Sequence, residues 1–508
     1  MTAAHARGEQ VDDLRAAAIL VLFALAGRAL YLGQPILNID EQFYLLVGDR
    51  MIQGALPYVD IWDRKPPVLF AIHALIRLLG GDGIWQAHLV AVLCVTAASF
   101  VIYRVALRLA DSTGAIAAGI AYGWWMALAG GAINQAGVFF NVLMAAAALL
   151  LVQLIERTRS GAPILGRALG AMLLAGLAVQ IKQSVVFEAA LFGLVVALLA
   201  WRLRPPGVAL GITALAAMAA LLPSLAIVAI WRAAGHADAL IFATVTSATL
   251  RTPMLAADYA WHLGTSLAMV LPLLAFAWLG IRRSGEQARH SSARAVRAFL
   301  IAWLVVGTLS LFAYDRTFYD HYLLGLMVPA CILAAPAFAD WRHYRLPLAA
   351  TAVVLVGAVL ALHWDERSKS GQWRTIAALD AATQGQRNCP FSYGGPAVAY
   401  LLNDWCLPTR YAFAGHLLFA AESPAIGVDP RAEVERILDS RPDRIILTAQ
   451  PVAKGNGETR RRVMARVARD YEPVARIEPD GLLVYRLRPG AAPLVNEVEL
   501  NPDGKIID

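Results

Sequence analysis

Apolar residues run through this chain in blocks of roughly 18 to 25, the length a helix needs to cross a ~30 Å hydrocarbon layer. Eleven blocks predict eleven membrane helices, at about 14–32, 85–109, 115–131, 138–155, 165–181, 184–201, 207–232, 262–281, 297–314, 321–339 and 346–363. The first, Leu14 to Leu32, lies where a signal peptide would, but its length and the spans behind it favour an uncleaved helix. One stretch tests the count. From Ile164 to Trp201 the apolar run is about twice one span, with Lys182 and Gln183 at its middle. A single helix would strand that ammonium group in hydrocarbon or far outside it. Two spans turning at Lys182 bring it to the outer surface at lower cost.

The segment 33–83 breaks the pattern, being too polar to cross and too regular for a plain loop. Asn38 followed by Glu41 has the spacing of a capping box, which predicts a helix carrying Phe43, Val47 and Met51 and ending at Gly54. Pro66-Pro67 then opens a second apolar helix, Val68 to Leu79, too short to span. Both are expected to lie in the outer interface beside Tyr58 and Trp62. From Trp364 the pattern becomes that of a soluble domain. β-like runs at Pro390–Tyr393, Arg444–Thr448 and Leu482–Leu487 alternate with helical ones at Pro396–Leu402 and Pro430–Leu438, the latter capped by Asp429. The expected architecture is therefore a polytopic α-helical membrane protein with a small extracytoplasmic α/β domain. A membrane module occupies 1–363, the exported domain 364–489 and a tail 490–508.

Composition agrees: 58% of the 508 residues are hydrophobic and only 16% charged, outside the range of ordinary soluble proteins. The net charge of +7 adds an orientation. Arginines collect in alternate connections (Arg104 and Arg108, Arg202 and Arg204, Arg282 and Arg283, Arg342 and Arg345), which places those connections in the cytoplasm and everything after His363 outside. No basic stripe, aromatic platform or module accompanies the charge, so nucleic-acid binding is excluded. Cys94 and Cys331 read as apolar fillers. Cys389 and Cys406 fall in the exported domain, where a disulfide between them is expected, the alternative being two buried thiols.

This topology gathers the unusual polar groups at one level. Asp40, Glu41, Asp60, Asp63, Arg64, Lys65, Lys182, Arg316 and His321 all fall at the outer membrane–water boundary, with Tyr322 after His321 a further substrate-binding candidate. A carboxylate among cations suits displacement at a sugar C1 with a phosphate leaving group: the carboxylate takes a proton from an acceptor hydroxyl and the cations stabilise the departing phosphate. Asp40 is the candidate base, with Glu41 engaged by the Asn38 cap. Each residue has a plainer alternative. Asp40 would favour a helix N-terminus in any case, Lys65 would snorkel, and Lys182 would end a span. Lys454-Gly-Asn-Gly-Glu-Thr459 has the wrong glycine spacing for a phosphate loop and reads as a turn before a helix over Arg460–Arg469.

Together these motifs resemble a family. Asp40-Glu-Gln-Phe-Tyr44 and Gly54-Ala-Leu-Pro-Tyr-Val-Asp-Ile-Trp-Asp-Arg-Lys-Pro-Pro67 are similar to the first outer loop of bacterial family 39-like glycosyltransferases of GT-C fold. That group includes lipid A aminoarabinose transferases, protein O-mannosyltransferases and rhizobial lipopolysaccharide galacturonosyl transferases. Gly176–Gln183 and His321-Tyr-Leu-Leu with Pro329 resemble two further family segments. The resemblance implies Asp40 as base and Lys65 as the lysine that meets a lipid-linked phosphate, with Lys182 and His321 nearby. It implies an inverting transfer from a polyprenyl-phosphate sugar, at the periplasmic face of a bacterial inner membrane, to a lipid, glycan or protein acceptor. Nothing in the sequence requires a metal, although some GT-C enzymes use one. The chain departs from the family at Arg64, where relatives often carry His, at Gly325, where Pro is frequent, and at Asn134, Gln135 and Asn141, near where several carry Glu. The rival from another class is a transporter or lipid flippase, which calls for broken helices and charges near the midplane.

Overall fold

The structure, a computed structural model, describes residues 3–36, 38–157, 163–287, 291–314, 318–368, 372–478 and 480–490. A helix stands at each of the eleven expected positions. In chain order the helices begin with α1 (Ala3–Ala26), α2 (Ile39–Ile52), α3 (Pro67–Arg77), α4 (Ile84–Ala106), α5 (Ser112–Leu128), α6 (Ala136–Arg157), α7 (Leu165–Val179), α8 (Val186–Leu203) and α9 (Pro206–Ala233). They continue with α10 (Ala237–Ile241), α11 (Ser247–Leu250), α12 (Ala256–Gln287), α13 (Ser291–Tyr314), α14 (Met327–Ala339) and α15 (Arg345–Ser368). Among the described residues, eight helices are long and apolar enough to cross a membrane. The chain is a multi-pass membrane protein. α5, of 17 residues, and α7, of 15, are shorter than the ~20 usual for a span. The first helix ends at Ala26, six residues before its expected end at Leu32, and the chain turns through 27–33.

α14 forms the centre of the bundle, with every residue from Met327 to Phe338 buried. It packs tightly because its partners present small residues. A methyl group on Gly280 of α12 would lie 2.0 Å from the Leu333 carbonyl oxygen, so only hydrogen permits that crossing. The doubled stretch turns as expected. α7 stops at Val179, Lys182 is extended (φ −149°, ψ 120°), a short turn follows over Gln183–Val185, and α8 runs back.

Outside the bundle, α2 and α3 lie against each other, their approach set by Gly48, whose missing side chain would meet His73 and Ala74 at 2.5 Å. Asn38 caps α2 and Pro67 opens α3. The C-terminal part begins with α16 (Gln372–Thr383) and carries a four-stranded sheet, order β1-β2-β4-β3, from β1 (Phe391–Ser392), β2 (Arg444–Thr448), β3 (Tyr471–Ile477) and β4 (Leu482–Leu487). β1 pairs with β2 in parallel and the other pairings are antiparallel. β3 has no counterpart in the sequence reading. It is the most exposed strand and breaks register between Pro473 and Ala475, so it lacks a clean period of two. A helix over Pro430–Asp439 starts from Asp429, whose side chain accepts from the Arg431 N–H. The Asn456 side chain caps the helix Gly457–Asp470. Cys389 and Cys406 are joined in a disulfide across 17 residues. The expected tail falls almost wholly outside the described residues.

This unit is fastened to the outer segment by backbone-directed bonds. Trp62 N–H donates to the Arg410 carbonyl (2.8 Å), Arg50 to the Trp405 carbonyl (2.7 Å), and Trp373 Nε1 to the Gly33 carbonyl (2.8 Å). α10 and α11, in the connection between α9 and α12, join the same junction: Ser247 Oγ donates to the Ala425 carbonyl at 2.7 Å.

Candidate active site

Asp40 is the second residue of α2, and its N–H donates to Asn38 Oδ1 at 2.9 Å. Its carboxylate accepts from Gln135 Nε2 at 3.3 Å, and the same amide reaches Asn38 Oδ1 at 3.3 Å. Burial would raise the Asp40 pKa. Lys65, His321, the Gln135 amide and Lys182 together outweigh it and hold the carboxyl below its ordinary value. Asp40 is therefore ionised.

Glu41 departs from the expected capping box. Asn38 accepts from the second helical N–H rather than the third, and the Glu41 carboxyl meets the backbone N–H groups of Asn134 and Gln135 instead. The reason is burial: Glu41 is 6% exposed, and the loop after α5 offers two donors where water cannot. Burial chiefly, and Asp40 beside it, push the Glu41 carboxyl up to about 8 against the pull of those N–H groups and Arg28. Arg28, unassigned from the sequence, is wholly buried and donates to the carbonyls of Gly123 and Gly131 at 3.2 Å each. It supports from below the loop that carries Gln135.

Lys65 sits immediately before Pro66, which is extended (φ −64°, ψ 153°) and starts α3. Tyr58 Oη donates to the Lys65 carbonyl at 2.7 Å, fixing the backbone there. The Lys182 ammonium lies 4.4 Å from the centroid of the Tyr322 ring, a cation–π contact. His321 meets Tyr322 edge-on at 4.6 Å and stacks with Tyr319 at 6.0 Å. Asn141 Nδ2 donates to the Leu324 carbonyl at 2.8 Å and holds that segment against α6. Asp63 is buried, and burial with Asp40 nearby raises its pKa against His416, Lys65 and Arg64. Six candidates thus converge from four segments: Asp40, Asp63, Lys65, Lys182, His321 and Tyr322.

Arg64 does not join them. Its guanidinium pairs through both terminal nitrogens with Glu422 of the C-terminal unit, whose carboxylate also takes Arg251 at 2.9 Å. Arg64 therefore faces the junction, whereas the charge of Lys65 bears on Asp40. Burial works against the charge of Glu422, but His416, Arg64 and Arg251 hold its carboxyl well below the usual range. Arg316 lies outside the described residues. Among the described residues no three His, Cys, Asp or Glu side chains come together as a metal site.

Whole-chain comparison identifies the fold. The structure of ArnT from Cupriavidus metallidurans bound to undecaprenyl phosphate superposes with a TM-score of 0.63 over 96% of this chain and 99% of that one, at 14% identity. The archaeal oligosaccharyltransferase of Archaeoglobus fulgidus matches at 0.54, covering 95% of this chain and 75% of that one, at 12% identity. The fold is GT-C. A further structure of that archaeal enzyme, AglB with an inhibitory peptide and a dolichol-phosphate, matches at 0.51 with 12% identity over 95% of this chain and 75% of that one. The family model for dolichyl-phosphate-mannose-protein mannosyltransferases matches residues 64–221, less than half of the chain. No curated protein matches the sequence. In this GT-C chain the matched segment carries Lys65, Gln135 and Lys182 but not Asp40. Gln135 is the site residue that sequence reasoning left out of the candidate set. Its signal was a run of amides in an apolar stretch, read only as a departure from relatives. Glu422 gave no signal, because its partner is 358 residues away.

Proposed function

We propose that this chain is an inverting glycosyltransferase that moves one sugar from a polyprenyl-phosphate carrier to an acceptor hydroxyl outside the cytoplasmic membrane of a bacterium. The acceptor is a lipopolysaccharide or other envelope glycan, or a protein. The reading rests on one observation: Lys65, Lys182 and His321, from three segments of the chain, surround the Asp40 carboxyl and with Gln135 hold its pKa below the ordinary value. Asp40 takes the proton of the acceptor hydroxyl, whose oxygen attacks the sugar C1 from the face opposite the phosphate. The C1–O bond to phosphate breaks, its electron pair leaves with the polyprenyl phosphate, and Lys65 and Lys182 meet the charge that develops. Glu41, pushed up to about 8, stays protonated near neutrality and leaves Asp40 as the base. The residues after 363 cover the outer face of the membrane module at 1–363 and present the acceptor. That undecaprenyl phosphate occupies ArnT and dolichol-phosphate AglB supports the choice of carrier.

The test follows transfer or hydrolysis from a panel of polyprenyl-phosphate sugars by wild type, Asp40→Asn and Lys65→Ala, with folding checked by thermal melting. Consumption of one donor by wild type, and loss of at least a hundred-fold in both folded variants, is expected. A wild type that consumes no donor overturns the reading. An unaffected Asp40→Asn overturns the assignment of the base.

A further inference from the structure

Just beneath Lys182, one carboxyl group has no role in the reaction above. Glu188 lies in the first turn of α8, is 6% exposed, and its Oε2 has no hydrogen-bond partner. It faces a narrow cavity of about 20 Å³ between α8, α13 and the segment Asp320–Leu326, lined also by Lys182, Ser184, Ser310 and Tyr322. That volume holds one water or one small polar substituent. A buried carboxyl oxygen without a donor is costly, and a favourable position near a helix N-terminus does not supply the missing partner. The space beside it is kept open by two glycines on facing segments. A methyl group at Gly307 or Gly325 would lie 3.5 or 3.4 Å from Glu188 Oε1. Gly325 belongs to the same segment as His321 and Tyr322, so the open side of the carboxyl adjoins the candidate phosphate site.

We propose that this cavity is a specificity subsite for the donor sugar, in which Glu188 accepts a hydrogen bond from a hydroxyl or ammonium substituent and rejects a carboxylate. The proposal rests on the glycosyltransferase reading. A lipid phosphate held at Lys65 and Lys182 brings the sugar toward the cavity that Lys182 and Glu188 line together. The cavity is too small for a whole ring but admits one projecting group. A substituent that donates a hydrogen bond satisfies Oε2, whereas a carboxylate would bring a second acid against it with no donor between them.

The test uses the full-length protein in lipid nanodiscs. Its donors are synthetic polyprenyl-phosphate sugars that share one lipid and differ in one ring substituent: hydroxymethyl, amino, carboxylate or hydrogen. kcat/KM is measured for wild type, Glu188→Gln, Glu188→Ala and Gly325→Ala, with melting curves for each. Wild type is expected to favour the hydroxymethyl or amino donor over the carboxylate donor by roughly a hundred-fold. Glu188→Ala should reduce that ratio to below about ten-fold, and Glu188→Gln, whose amide can donate, should raise turnover of the carboxylate donor. Gly325→Ala, which narrows the cavity against Glu188 Oε1 and leaves the carboxyl chemically intact, should lower turnover of the hydroxymethyl donor more than that of the donor bearing hydrogen. Ratios unchanged in every variant, or an equal loss on all donors, overturn the subsite and leave the glycosyltransferase reading standing. Preference of wild type for the carboxylate donor does the same. Wild type inactive on every donor overturns both readings, and that outcome is visible before any variant is made.

Discussion

Arg64 and Lys65 are neighbours in sequence and opposites in use. The guanidinium of Arg64 is spent within the protein, paired through both terminal nitrogens with a buried carboxylate that Arg251 also holds. Lys65 bears on Asp40 and, with His321, Gln135 and Lys182, holds its pKa below the ordinary value against burial. One cluster is closed, with fork-shaped donors matched to a carboxylate. The other gathers Lys65 and Lys182 around the Asp40 carboxylate, and we propose that a lipid phosphate joins them. Closed clusters hold parts of a molecule together and open ones hold ligands. The first cation joins the C-terminal unit to the segment before α3, and the second bears on Asp40, the base we propose.

The sharpest way to break this contrast is to remove each cation separately. Lys65→Ala should lower kcat/KM by at least about a hundred-fold with little change in melting. Arg64→Ala should do the reverse, lowering the melting temperature and increasing proteolysis at the junction, with a smaller loss of turnover per folded molecule. Equal losses of turnover and unchanged melting in both variants would place Arg64 in the site after all.

A second, smaller effect is expected on the other side of the junction. Glu422→Ala removes the buried carboxylate that Arg64 and Arg251 share and should cost about 3 kcal/mol of stability in denaturant titration. Adding Arg64→Ala to it should cost less than the sum of the two single changes, because the two residues share one interaction. Simple additivity would mean that the ion pair does not hold the junction.

What the sequence made legible follows the same division. The spans, the turn at Lys182 and the short helix behind Pro66-Pro67 were readable because each depends on local pattern: run length, a stranded charge, a proline pair. Asp40, Lys65 and Lys182 stood out as ionisable groups at one depth. The partners that decide what those groups do were not readable, since they arrive from far along the chain. Arg64 looked equivalent to Lys65 until Glu422 was brought to it across 358 residues. Glu41 fitted a local capping box, but a buried loop with two N–H donors competed for its carboxyl and won. β3 escaped because an exposed strand with a register shift carries no clean alternation.

Asp40 and Glu41 repeat the contrast at the shortest range and give the smallest expected effect. Cations hold Asp40 below its ordinary pKa, while burial lifts Glu41 from 4.5 to about 8. The two signs predict different pH behaviour. A carboxyl whose folded pKa is raised contributes stability that is complete below its unfolded value and is lost as pH rises through the folded one. Wild type should therefore lose stability between about pH 5 and 8 through Glu41. Glu41→Gln, which cannot ionise, should flatten that decline and be the more stable protein at pH 8. Melting curves across this range read the difference directly. Should wild type instead gain stability over the same range, and Glu41→Gln abolish the gain, Glu41 would be an ionised partner of Arg28. Asp40 would then share its pocket with a second negative charge, and the base would have to be reassigned between them.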